Sequence, residues 1–567
     1  MSEQKNDIKI GLALSGGGFR ASFYHIGALA RLAEIGWLSK VEAISTVSGG
    51  SIVGAHYYLH LKKLFESKAD EKINKDDYID VVNNLEKEFF DGVEKNIRIR
   101  TFSNLINNLK MFRKNYSRSD RLGELYEKLL YNLFVNPAKK RIRMRDLKIR
   151  PKGHMGGEEF HPKNHNKSRT NKAPILLLNA TALNTGHNWQ FTASWMGEPD
   201  RGLPDIDKNM RLRRLYYDEA PIERLKNISL GVAVAASAGV PGLFPPMAIS
   251  ELYPDITVQL VDGGVHDNQG VEGLLNEGCS YIICSDASGQ MADDKEPGDG
   301  ILSVLPRSNS ILMDRVREAE LVSLRNRKKS NHINDFKFVH LKKDLIKPEI
   351  TWLTGEDKTN QVKDVSGTTN YGVDRDVQRL LSNIRTDLDS FTEVEAYSLI
   401  LSGYLMTEKE FQDKQPDDKL CDFHQKCGKL KKLMEKPSNP YRKQLKIGSS
   451  LFLKAFKSVL WLKILGLTVI AVALGLLIIL MWPHIDEPIP GAEYLRSWKT
   501  LIIALIAAVV PLALLQIPGI RWIYYYRIFK NAFLQIWIAT FGFLFSWFHL
   551  LIIDPIFKYQ GRLKQLR

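Results

Sequence analysis

The sequence predicts an α/β fold with a mainly parallel sheet over residues 1–405, followed by apolar C-terminal membrane segments. Three observations predict it. Apolar runs at 8–15 and 41–47 each end in a glycine-bearing turn that opens a helix-like segment. Further strand-like runs follow at 174–181, 257–261 and 281–286. Beyond residue 458 the chain changes character and carries three long apolar stretches.

In the first unit, residues 8–15 (Ile-Lys-Ile-Gly-Leu-Ala-Leu-Ser) read as a buried strand. Gly16, Gly17 and Gly18 make the turn, and helical periodicity then runs through Phe23, Ile26, Leu29 and Leu32. The second strand, 41–47, stops at Ser48, and Gly49 and Gly50 lead into a helix that runs to about Phe65. This turn approximates the nucleophile elbow G-x-S-x-G, with Thr46 where the first glycine belongs. A serine there projects its hydroxyl at a helix N-terminus, where the macrodipole favours an anion.

A basic, largely helical insertion occupies about 60–172, and its last part, 148–172, reads as a mobile loop with solvated His154, His161 and His165. The strand at 174–181 gains a partner near 190–192. A small-residue apolar segment at 230–238 leads into the rigid Phe244-Pro245-Pro246 wall. The strand at 257–261 ends at Asp262-Gly263-Gly264. Segments 302–326 and 376–404 read as helices covering the sheet, and 406–458 as a charged linker whose part 408–438 reads as linker or solvated helices. Cys421, His424 and Cys427 offer three metal-type ligands but no fourth, so no metal is expected.

Charge and cysteine content narrow the function classes. A net charge of +15 points to an acidic surface, and long apolar runs in the same chain select anionic lipid over nucleic acid. No aromatic interleaving accompanies the basic stretch, so no nucleic-acid partner is expected. Four cysteines make no disulfide framework, and the first seven residues contain no apolar signal region. The main domain is therefore expected to stay in the cytosol.

A serine nucleophile needs a base. His25, His56 and His60 fall within helical segments and read as structural, and His266 is the histidine nearest the Asp262 turn. Asp262 is the stronger candidate, because it ends a strand at the sheet edge that also carries Ser48. A desolvated carboxylate can accept the proton itself. Gly16, Gly17 and Gly18 offer backbone N–H groups for an oxyanion. No Lys-Ser/Thr follows them and the dinucleotide spacing is not kept, which excludes phosphate loops of those types. Arg20 adds positive charge to steady the turn or hold a phosphate headgroup.

The order Ser15-Gly16-Gly17-Gly18-Phe19-Arg20, Val47-Ser48-Gly49-Gly50-Ser51, Asp262-Gly263-Gly264 resembles the patatin-like phospholipase family over about residues 8–290. The stretches 179–186 and 236–246 are similar to family blocks as well. The resemblance, to the bacterial type of the domain, implies a three-layer α/β/α fold and a Ser–Asp dyad that hydrolyses acyl esters of membrane phospholipids. Carried over by position, Ser48 is the nucleophile, Asp262 the general base, and Gly16, Gly17 and Gly18 the oxyanion donors, with Arg20, Gly50, Gly263 and Gly264 in support. The scheme uses no cofactor and no metal. Two other classes stay open: an inactive membrane-bound lipid-binding or scaffold protein, and a carboxylesterase or thioesterase.

The region 459–567 holds apolar segments at 459–482, 501–517 and 532–553, against the roughly 20 residues a span needs. Arg442, Lys443, Lys446, Lys454 and Lys457 precede the first, and the loop 484–499 is nearly neutral. The positive-inside rule then places the catalytic domain in the cytosol, on a bacterial inner membrane by the resemblance. Three crossings would leave Lys558, Arg562, Lys564 and Arg567 outside, a conflict that an interfacial or re-entrant segment removes.

Overall fold

The computed structural model describes residues 8–566 apart from 114–115, 136–140, 155–158, 200–208, 289–293, 346–366, 417–418, 451–453, 455–456 and 458–531. The first two apolar segments, 459–482 and 501–517, thus lie outside the described residues.

Alternation along the first strand sets the layers. In β1 (Ile10–Leu14), Ile10, Leu12 and Leu14 join the main core on one face, while Ala13 joins a smaller core on the other. A strand buried on both faces belongs inside a parallel sheet covered twice by helices. The remaining strands are β2 (Val41–Val47), β3 (Ile175–Ala182), β4 (Asn188–Phe191), β5 (Trp195–Gly197), β6 (Leu215–Tyr216), β7 (Met247–Tyr253), β8 (Ile256–Asp262), β9 (Tyr281–Asp286) and β10 (Asp335–His340). They run in the order β10-β9-β1-β2-β3-β4-β5-β6, with β8 paired to β3 and β7 to β8. Every pairing from β10 to β3 is parallel, and every pairing beyond is antiparallel. Ser48 and the first glycine turn follow parallel strands, while Asp262 ends the antiparallel β8.

Helices α1 (Gly18–Glu34), α2 (Gly49–Ser67) and α3 (Lys75–Val93) form the layer over the main core. Helix α1 is buried on nearly every side because the helix Glu393–Glu410 lies directly on it. Two glycines allow that contact: a Cβ on Gly27 would stand 1.8 Å from Ile400 O, and one on Gly403 2.1 Å from Tyr24 O. The short helix Val271–Asn276 and the long helix Ile301–Lys329 cover the opposite face, where Leu274 and Leu324 enter the smaller core.

Two expectations differ from the structure. The segment read as a charged linker or solvated helices contains the helices Phe423–Glu435 and Asn439–Gly448, which are packed and not solvated: Phe423, Leu430, Met434, Tyr441 and Leu445 are buried in the main core. High charge on their outer faces masks the apolar stripe. His424 Nε2 meets Glu34 Oε1 at 3.0 Å, the oxygen that also accepts the Cys421 amide at 2.9 Å, and Cys427 is buried in the main core. The loop at 148–172 is fastened where described. Arg169 Nη2 lies 3.1 Å from Asp70 Oδ1, and Asn166 bonds both ways with the Ala173 backbone at 2.9 Å.

The third apolar segment forms the helix Ala532–Phe548, continued by a π-helical turn, His549–Ile553, and the helix Asp554–Gln560. Ile538–Gln560 is long and apolar enough to cross a membrane. It also touches the folded α/β domain along its length. Asn108 Nδ2 donates to Ala539 O (3.0 Å), Trp547 Nε1 to Ser103 O (3.2 Å), and Lys558 Nζ to Glu94 O (2.9 Å). Phe541, Leu544, Phe548 and Leu551 remain exposed on it.

Candidate active site

Strand β3 brings the two key residues together. Its residue Asn179 pairs with Val47, the last residue of β2. Its next residue, Ala180, pairs with Asp262, the last residue of β8. Strand β8 therefore takes over the edge of β3 where β2 stops, and Ser48 and Asp262 follow from adjacent positions on one strand.

Ser48 is the N-cap of α2 with φ 51° and ψ −119°. An L-residue in that half of the map stores on the order of 1–3 kcal/mol of strain, a cost typical of functional turns. Close backbone approach accounts for the glycines that follow. A Cβ on Gly49 would stand 2.0 Å from Gly18 O, and one on Gly50 2.2 Å from Leu14 O. The Ser48 amide donates to Ser237 Oγ (3.1 Å), and Ser237 Oγ donates to Asn179 O (2.6 Å). Asn179 Nδ2 donates to Thr46 O at 2.9 Å, which fixes the strand end from the other side.

Thr46 fits because another residue gives way. Its Cγ2 occupies the space beside Gly54, where an added Cβ would stand 2.6 Å from it. Its hydroxyl donates to Leu177 O (3.0 Å) and contacts Ser51 Oγ (2.9 Å), which in turn meets Ser237 Oγ at 2.7 Å. The glycine missing at 46 has effectively moved to position 54 on the facing helix.

Asp262 is almost fully buried. Its Oδ1 accepts the Gly264 amide at 2.8 Å, while Oδ2 has no partner in hydrogen-bond geometry among the described residues. Burial pushes its pKa up to about 6, against the opposing pull of the Gly264 amide and the nearby Ser48 hydroxyl. Gly263 is required by contact, since a Cβ there would stand 2.4 Å from Asn179 O.

The first glycine turn divides its amides. Gly16 N donates to Asn268 O at 2.9 Å. The amides of Gly17 (φ 135°) and Gly18 (φ 56°) have no acceptor among the described residues. Of the two roles expected for Arg20, its bonds serve the structural one. Its guanidinium is buried and donates to the carbonyls of Ala287 (2.9 Å), Ser382 (3.0 Å) and Ile384 (2.9 Å).

The histidines go elsewhere. His25 bridges Ser285 Oγ (2.8 Å) and Ser15 O (2.9 Å), and burial brings its pKa down to about 4. His266 Nε2 meets Glu272 Oε2 at 2.8 Å. His56 and His60 both meet Glu88.

Residues 12–275 match the family model described as Patatin-like phospholipase. The matched stretch contains both glycine turns and the Asp262 turn. No curated protein matches the sequence. Among solved structures, the chain is similar to human GIVD cytosolic phospholipase A2 in complex with a methyl gamma-linolenyl fluorophosphonate inhibitor and terbium chloride. Identity is 13% and the TM-score 0.38, over 73% of this chain and 59% of that one. It thus spans less than two thirds of that human protein. It is also similar to VipD from Legionella pneumophila, at 14% identity and TM-score 0.27, over 98% of this chain and 92% of that one.

Three residues of the candidate site carried no assigned role in the sequence. Asn179 and Ser237 stand inside the family-like blocks, which is the only signal they give. Asn268 is unmarked: its Oδ1 fills the space beside Gly16 and Gly264, where an added Cβ would stand 2.2 Å and 2.6 Å away.

Proposed function

We propose that the chain is a membrane-associated serine lipid acyl hydrolase of the phospholipase A or lysophospholipase type, working through Ser48 and Asp262. The observation that carries this reading is the placement of Val47 and Asp262 against consecutive residues of β3, with the two unengaged amides of Gly17 and Gly18 across from them. The Ser48 hydroxyl attacks the acyl carbonyl carbon as Asp262 takes its proton. The carbonyl oxygen becomes an oxyanion held by the amides of Gly17 and Gly18, with the α2 N-terminus behind it. Collapse expels the alcohol, a lysophospholipid or glycerol derivative, which receives the proton from Asp262. Water, deprotonated by the same carboxylate, then releases the fatty acid and restores Ser48.

Three features support the dyad. The serine is strained, the carboxylate is buried with a pKa raised to about 6, and among the described residues no histidine is hydrogen-bonded to either. Lipid as the substrate class fits the family match and the exposed Val240 and Leu243, which follow Gly239, whose carbonyl accepts the Asp262 amide. Membrane association rests on the apolar segments 459–482 and 501–517, with Ile538–Gln560 lying at the interface and the patatin-like domain facing the cytosol.

The test is fatty-acid release from mixed phospholipid vesicles by the full chain in detergent. Ser48→Ala and Asp262→Asn are each expected to lower it by at least ~10³-fold with the circular dichroism spectrum unchanged. Residual activity within tenfold of wild type in either variant overturns the dyad. A thioester and a simple-ester panel run beside it separates a thioesterase or carboxylesterase. A fluorophosphonate probe that fails to label Ser48 would support the inactive lipid-binding alternative.

A further inference from the structure

Helix α2 begins at the proposed nucleophile and, two turns on, carries a cluster the hydrolase chemistry does not use. His56 and His60 stand at i and i+4, so both rings project from one face. That face meets Glu88 on α3. His56 Nε2 lies 3.0 Å and His60 Nε2 2.9 Å from the same carboxylate oxygen, Oε2. The three ligand-type atoms all fall within 4.8 Å of one another.

The surroundings are built around that point. The two imidazoles stack with centroids 5.3 Å apart and planes 12° from parallel. Phe134 stands edge-on to His60 at 4.8 Å and to His56 at 5.8 Å, and Tyr131 stands edge-on to His56 at 5.9 Å. His56 and His60 are buried, and the Glu88 side chain, 26% exposed, is the open side. Among the described residues Glu88 pairs with no lysine or arginine, and its ion partners are these two histidines. His56 Nδ1 is buried without a partner, so nothing on that side fixes the ring's tautomer.

We propose that His56, His60 and Glu88 bind a divalent transition-metal ion of the zinc class and that the ion ties the nucleophile-bearing helix to α3. Two imidazoles and a carboxylate are a donor set that zinc accepts, and a His pair at i, i+4 is a familiar way for one helix to present it. Zinc with bonds of about 2.0–2.1 Å holds tetrahedral ligand atoms roughly 3.3 Å apart. The observed nitrogen–oxygen separations are within a few tenths of an ångström of that. The fourth position faces the open side beside Glu88, where water completes the shell. His56 lies about 12 Å along the helix from Ser48, so the ion has no part in ester cleavage. Its effect is positional, through the rigidity of α2.

The experiment uses the full, tag-free chain in detergent, stripped with EDTA and dialysed against Zn²⁺ or Co²⁺. Mass spectrometry of bound metal is expected to give one ion per chain for wild type, and none for His60→Gln or Glu88→Gln. Added Zn²⁺ is expected to raise the thermal midpoint of wild type alone. Fluorophosphonate labelling of Ser48 checks that both variants fold. Co²⁺-loaded wild type is expected to show the visible absorption of a tetrahedral site, a readout that needs no variant. Sub-stoichiometric metal in wild type, equal binding by the variants, or a Co²⁺ spectrum of the hexa-aquo type each overturns the proposal.

Discussion

Two glycine turns close adjacent parallel strands, and they solve opposite problems. After β1, Gly17 and Gly18 take positive φ values at little cost and leave backbone amides unengaged. After β2, the positive φ falls on Ser48, and the glycines behind it serve close approach instead. One turn presents main chain and the other a side chain. They are also in contact: Ser22 Oγ donates to Gly49 O at 2.7 Å and lies 3.2 Å from Gly18 O. The pairing teaches that unengaged amides and a projecting hydroxyl can be built from one local motif by moving the strained residue.

The comparison is broken most severely at the contact itself. Gly49→Ala places a methyl 2.0 Å from Gly18 O, where only backbone can yield. Acyl release is expected to fall by at least ~10²-fold, with a lowered thermal midpoint. Next comes Gly17→Ala, which forces φ 135° on an L-residue and a methyl to within 2.9 Å of Ala287 O. Displacement of the amides is expected to cut kcat by roughly 10²-fold, with KM little changed, in a steady-state assay on micelles.

A third prediction separates the side-chain turn from the main-chain one by pH. Asp262 must be a carboxylate to act as base, so log kcat/KM is expected to fall by one per pH unit below about 6 and to level off above it. The sign for stability is the reverse. A carboxyl whose folded pKa is raised above its unfolded value gains stability as pH falls through 6, so the lost rate is not unfolding by this group. Circular dichroism at each pH checks it. The smallest effect sharpens the elbow. Gly54→Ala drives a methyl against Thr46 Cγ2 and is expected to cost about 1–3 kcal/mol in chemical denaturation. Thr46→Ser removes that Cγ2 and is expected to restore ~1 kcal/mol or more in a double-mutant cycle.

The parallel half of the fold was legible because its strands are short apolar runs that end at punctuating glycines. The same punctuation marked Ser48, Asp262 and the first glycine turn as candidates. Less legible was anything set by three-dimensional economy. Thr46 looked like a departure from the elbow pattern, and its compensation at Gly54 lies eight residues on, across a strand–helix contact that no local motif encodes. The engagement of Gly16 by Asn268 depends on a loop some 250 residues away. The packing of the helices at 423–448 was hidden for a simpler reason: lysine-rich outer faces dominate their composition, while a few buried residues hold them.

Ser390 has a further consequence. Lys454 Nζ donates to its carbonyl at 3.2 Å, and its own hydroxyl donates to Asp554. Lys454 and Asp554, one hundred positions apart in the chain, are therefore both fastened at Ser390. The tail that follows is held as well: Lys558 Nζ donates to Glu94 O at 2.9 Å, and the Leu563 amide donates to Glu393 Oε2 at 2.9 Å. Lys558, Arg562 and Lys564 are thus kept beside the folded domain by contacts of their own, whatever path the intervening residues take.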